Sequence, residues 1–339
     1  MELESLLNDY YDIPNIENLI RLLDLNVDIN QEILNNTLLM CAVKNVKFYD
    51  TVILLLEKGA DINKVNENSG MTPLMWAIVN NKCDYQNDIV KLLLDKGANI
   101  NLQDRQYRTV LMHIIITLKK FNRWYNNDKK PEKLFDIVKL LLNKDAKINT
   151  SCKNGNTALM YVMRIRHNIK LDIVDLLLDK GAKINKVNKD GDTALIIAAS
   201  NALYIDSVSA DYDVIKLLLY KRANLYINNK EGENFFSYIF SNVIKNKKIG
   251  LEFLKIIDTI KYSEMCMEKI FKILKIYSQR FLSRPTSLRT TLINIKWDMV
   301  DNFYELLKKK YKCVFQYFGI YDQDSMKLKI TENIKLMEK

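Results

Sequence analysis

Residues able to carry chemistry are few and scattered in this chain of 339 residues. Its two histidines, His113 and His167, and its five cysteines, Cys41, Cys83, Cys152, Cys266 and Cys313, are the first candidates for catalysis or metal ligation. The cysteines are odd in number and contain no C-x-x-C pair. That fits a reducing compartment and argues against a disulfide framework or a zinc site. His113 follows Met112 inside an apolar run, and "HNIKLD" around His167 offers no second ligand. No H-E-x-x-H, G-x-S-x-G, P-loop or G-x-G-x-x-G pattern occurs. A catalytic site needs several different groups converging in one pocket. The reading is therefore a protein without catalysis, metal or cofactor. Two stretches do mix cations with aromatics, as single-strand nucleic-acid sites do. "KKFNRWYNNDKKPEK", 119–133, has six cations against two acids, too small an excess to be specific. "LKKKYKCVFQYF", 307–318, reads more simply as a helix end with solvated lysines followed by core aromatics. Nucleic acid is not the expected partner.

The elements that would position such residues are helical. The chain is 48% hydrophobic and 27% charged, ordinary for a folded protein. Nine Gly and four Pro are too few for a loop-rich or sheet-rich fold and favour helices joined by short turns. No secretory leader and no run of 18 apolar residues is visible, so neither export nor a membrane span is expected, and the location is read as cytoplasmic. The charge is uneven. Residues 243–339 hold 20 Lys or Arg and 11 Asp or Glu, a net of +9; residues 1–242 hold 31 against 30, a net of +1.

Two phrases recur in order. "DTVILLLEKGADIN" (50–63), "DIVKLLLDKGANIN" (88–101), "DIVKLLLNKDAKIN" (136–149), "DIVDLLLDKGAKIN" (172–185) and a worn "DVIKLLLYKRANLY" (213–226) form the first set. Each follows a phrase of the "NTALM" type whose threonine is Thr37, Thr72, Thr109, Thr157 or Thr193, spaced 35, 37, 48 and 36 residues apart. The threonine hydroxyl can cap a first helix. The apolar residues of "DIVKLLL" fall at helical spacing, and the Asp that opens the phrase suits a helix start. Gly59, Gly97 and Gly181 stand where a left-handed residue closes the second helix. Asp145 and Arg222 replace that glycine in the third and fifth copies, and Arg tolerates the region poorly, so the fifth copy is expected to end irregularly. "NGNT" and "DGDT" supply tight turns between copies.

This organisation resembles the ankyrin repeat, a unit of about 33 residues with a turn and two antiparallel helices. Where that family places His after T-P-L, this chain has Met40, Met75, Met112, Met160 and Ile196. An apolar contact replaces a polar tie there, giving a softer stack. In this and in its Asn, Lys and Ile content the chain is similar to ankyrin proteins of giant DNA viruses of amoebae. The resemblance implies an all-α solenoid of stacked helix–turn–helix units with a helical C-terminal extension. The expected organisation is an N-terminal cap with a partial repeat (1–35), then repeats across 36–242, at about 36–66, 70–104, 107–152, 155–188 and 191–227, with a divergent unit at 231–260. A basic helical region (261–339) follows, with amphipathic segments at 263–282 and 298–321.

The resemblance also implies function: binding a protein partner, in a host cell and its cytoplasm if the chain is viral, through a concave face and turn tips. The residue before each threonine points to that face in the family. Here those residues are Asn36, Met71, Arg108, Asn156 and Asp192, with Tyr107 and Lys189 at turn tips. The third unit is about a dozen residues longer than its neighbours, and 119–133 lies in the excess. Either it is a projecting contact loop anchored by Arg123, Trp124 and Tyr125, or it lengthens the first helix and folds its aromatics onto the next repeat. The expected partner-binding set is Met71, Tyr107, Arg108, Arg123, Trp124, Tyr125, Asn156, Lys189 and Asp192, on a monomer. Two other functions are weighed: an adaptor recruiting a ubiquitin ligase or another machine through the C-terminal region, and a nucleic-acid or acidic-surface binder acting through the basic tail. No leucine–proline F-box opening occurs between 243 and 339.

Overall fold

A computed structural model of the chain describes residues 28–32, 36–44, 48–80, 86–124, 130–165, 169–202, 208–235 and 237–238, without the side chains of 86, 121–124, 130 and 208–211. The expectations for 1–27, for the second helix of the sixth unit and for the basic C-terminal region lie outside those residues.

The chain divides into two units, Met1–Asn201 with Ser209–Asn224, and Ala202–Val208 with Leu225–Lys339. Among the described residues of the larger unit the regular elements are all helices, in five pairs. The first helices are Leu38–Ala42 (α1), Pro73–Val79 (α3), Val110–Trp124 (α5), Ala158–Val162 (α7) and Ala194–Asn201 (α9). The second helices are Tyr49–Glu57 (α2), Gln86–Asp95 (α4), Lys130–Asn143 (α6), Ile169–Asp179 (α8) and Val208–Tyr220 (α10). Each first helix packs on the next, α1 on α3, α3 on α5, α5 on α7 and α7 on α9; α4 packs on α6 and α6 on α8.

Local chemistry explains the pairs. The hydroxyls of Thr37, Thr72, Thr109, Thr157 and Thr193 accept the backbone N–H of Met40, Met75, Met112, Met160 and Ile196, at 3.2–3.4 Å, satisfying a donor that the first turn leaves open. Those five residues are buried, as are Leu38, Leu74, Leu111, Leu159 and Leu195 in equivalent places. In the second helices the apolar positions recur with helical period. Ile89, Val90, Leu93 and Leu94 are buried, and Ile137, Val138, Leu141 and Leu142 repeat the pattern.

Two expectations need correction. The Asp of the recurring phrase lies in the first turn at Asp88 and Asp172, but α6 and α10 begin earlier than their phrases do. Asp136 and Asp213 therefore sit inside helices, and their carboxylates meet Lys139 and Lys216 at 3.2 and 3.3 Å instead of serving the helix end. The fifth unit does not end irregularly. Arg222 takes φ 65° beside Asp145 at 60° and Gly59, Gly97 and Gly181 at 87–91°. Its neighbour closes the same bond, Ala223 N–H to Leu218 carbonyl at 2.9 Å, as Ala60 closes to Leu55. The stack imposes the left-handed conformation on a residue that resists it.

The 119–133 stretch is mostly helix. α5 runs for 15 residues, against 5, 7, 5 and 8 in the other first helices, and α6 starts at Lys130. The lengthened-helix half of that alternative is what the backbone adopts. Where the aromatics of Trp124 and Tyr125 pack lies outside the described residues.

In the described part of the smaller unit, Asn229 N–H bonds the Glu233 carbonyl at 2.8 Å and Gly232 takes φ 76°. Asn234 stands where the other units have Thr, and its side chain accepts Ser237 N–H at 3.4 Å. Phe235 beside it is 1% exposed.

Candidate interaction surface

Each unit presents a turn, and the turns are tied to each other. Within a turn the chain closes on itself by a bond from Asn66 N–H to Met71 carbonyl, repeated from Asp104 to Arg108, Cys152 to Asn156 and Asn188 to Asp192, at 2.9–3.0 Å. Between turns, Arg105 N–H bonds Ser69 carbonyl, Lys153 bonds Gln106 and Lys189 bonds Asn154, at 2.7–3.0 Å. This contact leaves no room for a Cβ at Gly155, which would lie 2.7 Å from Lys189 N. Tyr107 occupies the equivalent place in the third turn at φ 58°, a left-handed conformation costly for an aromatic residue.

A second tie was not read from the sequence. The Asn that ends each of the first four phrases, Asn63, Asn101, Asn149 and Asn185, and Asn30 at the same place in the partial repeat before them, accept through Oδ1 the backbone N–H of Asn99, Lys147, Lys183, Asn224 and Asp61 respectively, each in the next unit, at 2.7–2.8 Å. Asn149 Nδ2 also donates to the Gly181 carbonyl at 3.0 Å. The signal was present in "GADIN", "GANIN", "DAKIN" and "GAKIN", where the terminal Asn never changes.

Side chains on the first helices and in the turns just after them are far less uniform. The fourth residue after each threonine is Cys41, Trp76, His113, Tyr161 or Ile197, and the seventh is Lys44, Val79, Ile116, Arg164 or Ser200. Because the first helices stack in order, these form two adjacent rows. The first row is partly buried, with His113 3% and Ile197 7% exposed. Lys44 Nζ lies 4.1 Å over the Trp76 ring and donates to Asn36 Oδ1 at 3.2 Å. Burial pushes the Cys41 thiol up, partly offset by Lys44, and holds Lys44 below its usual range.

In the third unit, Asp104 Oδ2 receives Arg108 Nη2 at 2.7 Å and faces His113 Nε2 at 3.0 Å, while Oδ1 accepts the N–H of Gln106 and Arg108 at 2.8 Å. Burial alone would push this carboxyl up. The bonds from His113 and Arg108 outweigh it and hold the pKa at about 2. In the fourth unit Cys152 replaces Asp104, and Tyr161 Oη donates to its Sγ at 3.4 Å. Burial, then this bond, pushes the Tyr161 hydroxyl up to about 12. His113 thus supplies a side-chain tie beneath the turn, one residue beyond the position where Met112 stands.

The expected contact residues separate. Met71 and Asn156 are each 7% exposed, and Asn156 Oδ1 accepts Asn188 Nδ2 at 3.1 Å. They serve the stack, because the turn contacts close over them, and they offer no exposed surface. Arg108 is half-buried and held by Asp104. Asp192 takes part in its turn through its backbone. Tyr107, 56% exposed, and Lys189 stand open at the tips. Arg123 and Trp124 lie on the α5 extension with their side chains outside the described residues, and Tyr125 lies wholly outside them. Among the described residues no three His, Cys, Asp or Glu side chains gather as a metal site, and no helix there is long and apolar enough to cross a membrane.

Repeated helix pairs, capped by threonines and joined by an asparagine ladder, define a stacked-repeat protein. A profile of ankyrin repeats in three copies matches residues 11–115 and 130–231, and the chain belongs to the ankyrin-repeat family. It is 30% identical over 99 residues to ankyrin repeat protein L86 of Acanthamoeba polyphaga mimivirus, 28% of this chain and 16% of that one. It is 32% identical over 92 residues to ankyrin repeat protein R664 of the same virus, 26% of this chain and 56% of that one. It is 46% identical over 59 residues to the mouse B-cell lymphoma 3 protein homolog, 17% of this chain and 12% of that one. The chain therefore spans only part of the length of each relative. Ankyrin repeats as a family mediate protein–protein interaction and are generally not enzymes.

Proposed function

We propose that this chain is a non-catalytic scaffold that binds a protein partner through the exposed face of its first helices and its turn tips. The observation that carries the reading is a division of labour along one backbone. Caps, buried leucines and ladder asparagines repeat from unit to unit, while Trp76, Ile116, Tyr161, Arg164, Tyr107 and Lys189 differ at equivalent or neighbouring positions. A binding surface needs a constant frame with a varied rim. Arg123 and Trp124 on the lengthened α5, and Tyr125 just beyond it, belong to this proposed surface, being residue types that lead binding hot spots. Viral relatives favour a host-cell protein in the cytoplasm as the partner.

The test is site-specific photocrosslinking in amoeba lysate. A benzoylphenylalanine at Tyr107 or Lys189 should capture a protein that the same group at Tyr220, 82% exposed at the end of α10, does not. Equal capture from all three positions would overturn the reading.

A further inference from the structure

We propose that the strip formed along these two rows by Lys44, Trp76, Val79, Ile116, Tyr161 and Arg164 binds an acidic, extended peptide segment of a partner protein. This deepens the scaffold reading and rests on it.

The charges on the two sets of helices are arranged differently. On the second helices, cations meet carboxylates: Lys91 with Asp88 at 3.9 Å, Lys139 with Asp136 at 3.2 Å, Lys216 with Asp213 at 3.3 Å, and Lys221 with Asp175 and Asp179 at 3.0 and 2.6 Å. On the first-helix side, Lys44 and Arg164, two residues past the ends of α1 and α7, and Lys120 on α5 meet no carboxylate among the described residues. Lys44 is held by a neutral amide and a ring, and Lys120 and Arg164 are exposed. The nearby acid, Asp104, is already matched by Arg108 and His113. Lys120 follows Ile116 by four residues on α5, so it continues the same helix face. The result is a strip of uncompensated positive charge with half-buried apolar groups, Val79 and Ile116, set between its cations.

Spacing favours an extended chain. Packed helices stand about 8–10 Å apart, and an extended peptide advances about 3.3 Å per residue. About three peptide residues therefore cross each unit, and roughly eight to ten span the three intervals from Lys44 to Arg164. Acidic side chains at such intervals would meet the cations, and the residues between them the apolar gaps. A single-stranded nucleic acid suits the strip less well, because base stacking needs open ring faces. One face of Trp76 is covered by Lys44.

The experiment uses the full chain and a fluorescein-labelled 12-residue peptide with Glu at every third position. Its comparators are the Gln counterpart and an oligouridylate of equal charge, with anisotropy read at two salt concentrations. The acidic peptide should bind at least tenfold more tightly than the Gln peptide and than the oligouridylate. Lys120→Glu with Arg164→Glu should weaken it at least tenfold, and Lys120→Arg with Arg164→Lys should restore it. Both positions are exposed and unpaired, so the melting temperature should not move; if the reversal variant melts early, Lys120→Gln with Arg164→Gln should show the same loss in smaller degree. Binding that survives these changes belongs elsewhere, for example to the basic C-terminal region, and overturns the proposal. Equal or tighter oligouridylate binding overturns it in favour of nucleic acid. Failure of the peptide to bind, while Tyr107 and Lys189 still crosslink selectively, overturns the peptide assignment and leaves the scaffold reading standing.

Discussion

At the scale of single residues, the third unit concentrates what is unusual. Asp104 is 3% exposed and holds Arg108, His113 and two backbone donors. Its folded pKa of about 2 lies below the ordinary 3.8. The sign follows from that direction: the stabilisation is fully present above about pH 4 and is lost as pH falls through 2. At about 1.4 kcal/mol per pKa unit, the fall from 3.8 to about 2 corresponds to about 2–3 kcal/mol. Asp104→Asn should lower stability by about 1–3 kcal/mol at neutral pH, because it leaves a buried histidine and an arginine without their acceptor. It should also flatten the loss of stability between pH 4 and 2, both read by urea titration. Tyr107 offers the opposite change. A left-handed residue costs about 1–2 kcal/mol, and glycine gives back part of the gain through unfolded-chain entropy. Tyr107→Gly should therefore stabilise by about 0.5–1 kcal/mol while reducing partner capture. A variant that is less stable than the parent would show that the ring packs, despite being 56% exposed.

At the scale of elements, helices hold together in pairs by burial, and units hold together partly by asparagine. Asn149 bridges two units with bonds of 2.7 and 3.0 Å to Lys183 N–H and the Gly181 carbonyl. Asn149→Ala should cost about 1–2 kcal/mol in chemical denaturation, even though the residue is not in the core. Asn149→Asp keeps the acceptor and loses the donor, so it should cost less. The ladder also explains why Arg222 conforms: Asn185 Oδ1 holds Asn224 N–H at 2.7 Å, two residues beyond it. The helix boundaries follow the same logic. α6 and α10 extend upstream of their phrases, turning Asp136 and Asp213 from end residues into partners of Lys139 and Lys216.

At the scale of the whole molecule, charge divides the chain into a near-neutral repeat region and a basic C-terminal one, +1 against +9. If partner binding belongs to the repeats, neutralising Lys308, Lys309 and Lys310 should leave both melting and selective crosslinking at Tyr107 unchanged, since surface charges contribute under about 1 kcal/mol each. A loss of polyanion binding with a reduced salt slope would mark the tail as a separate electrostatic site.

The repeat frame was legible in the sequence because its causes are local and recur. Thr37 and its four equivalents cap by their own hydroxyls, and Ile89, Val90, Leu93 and Leu94 reveal their buried face by spacing alone. The amide ladder could have been found the same way, since its Asn recurs at a constant place. What only the tertiary structure decided depends on which residues meet across units. Met71 and Asn156 look exposed by their position before a threonine, yet contacts from neighbouring turns bury them. His113 looks like an isolated histidine until Asp104, nine residues earlier, is brought beneath it. Lys44, Arg164 and Lys120 belong to one strip only because α1, α3, α5 and α7 stack in order, a relation between distant segments that no local pattern contains.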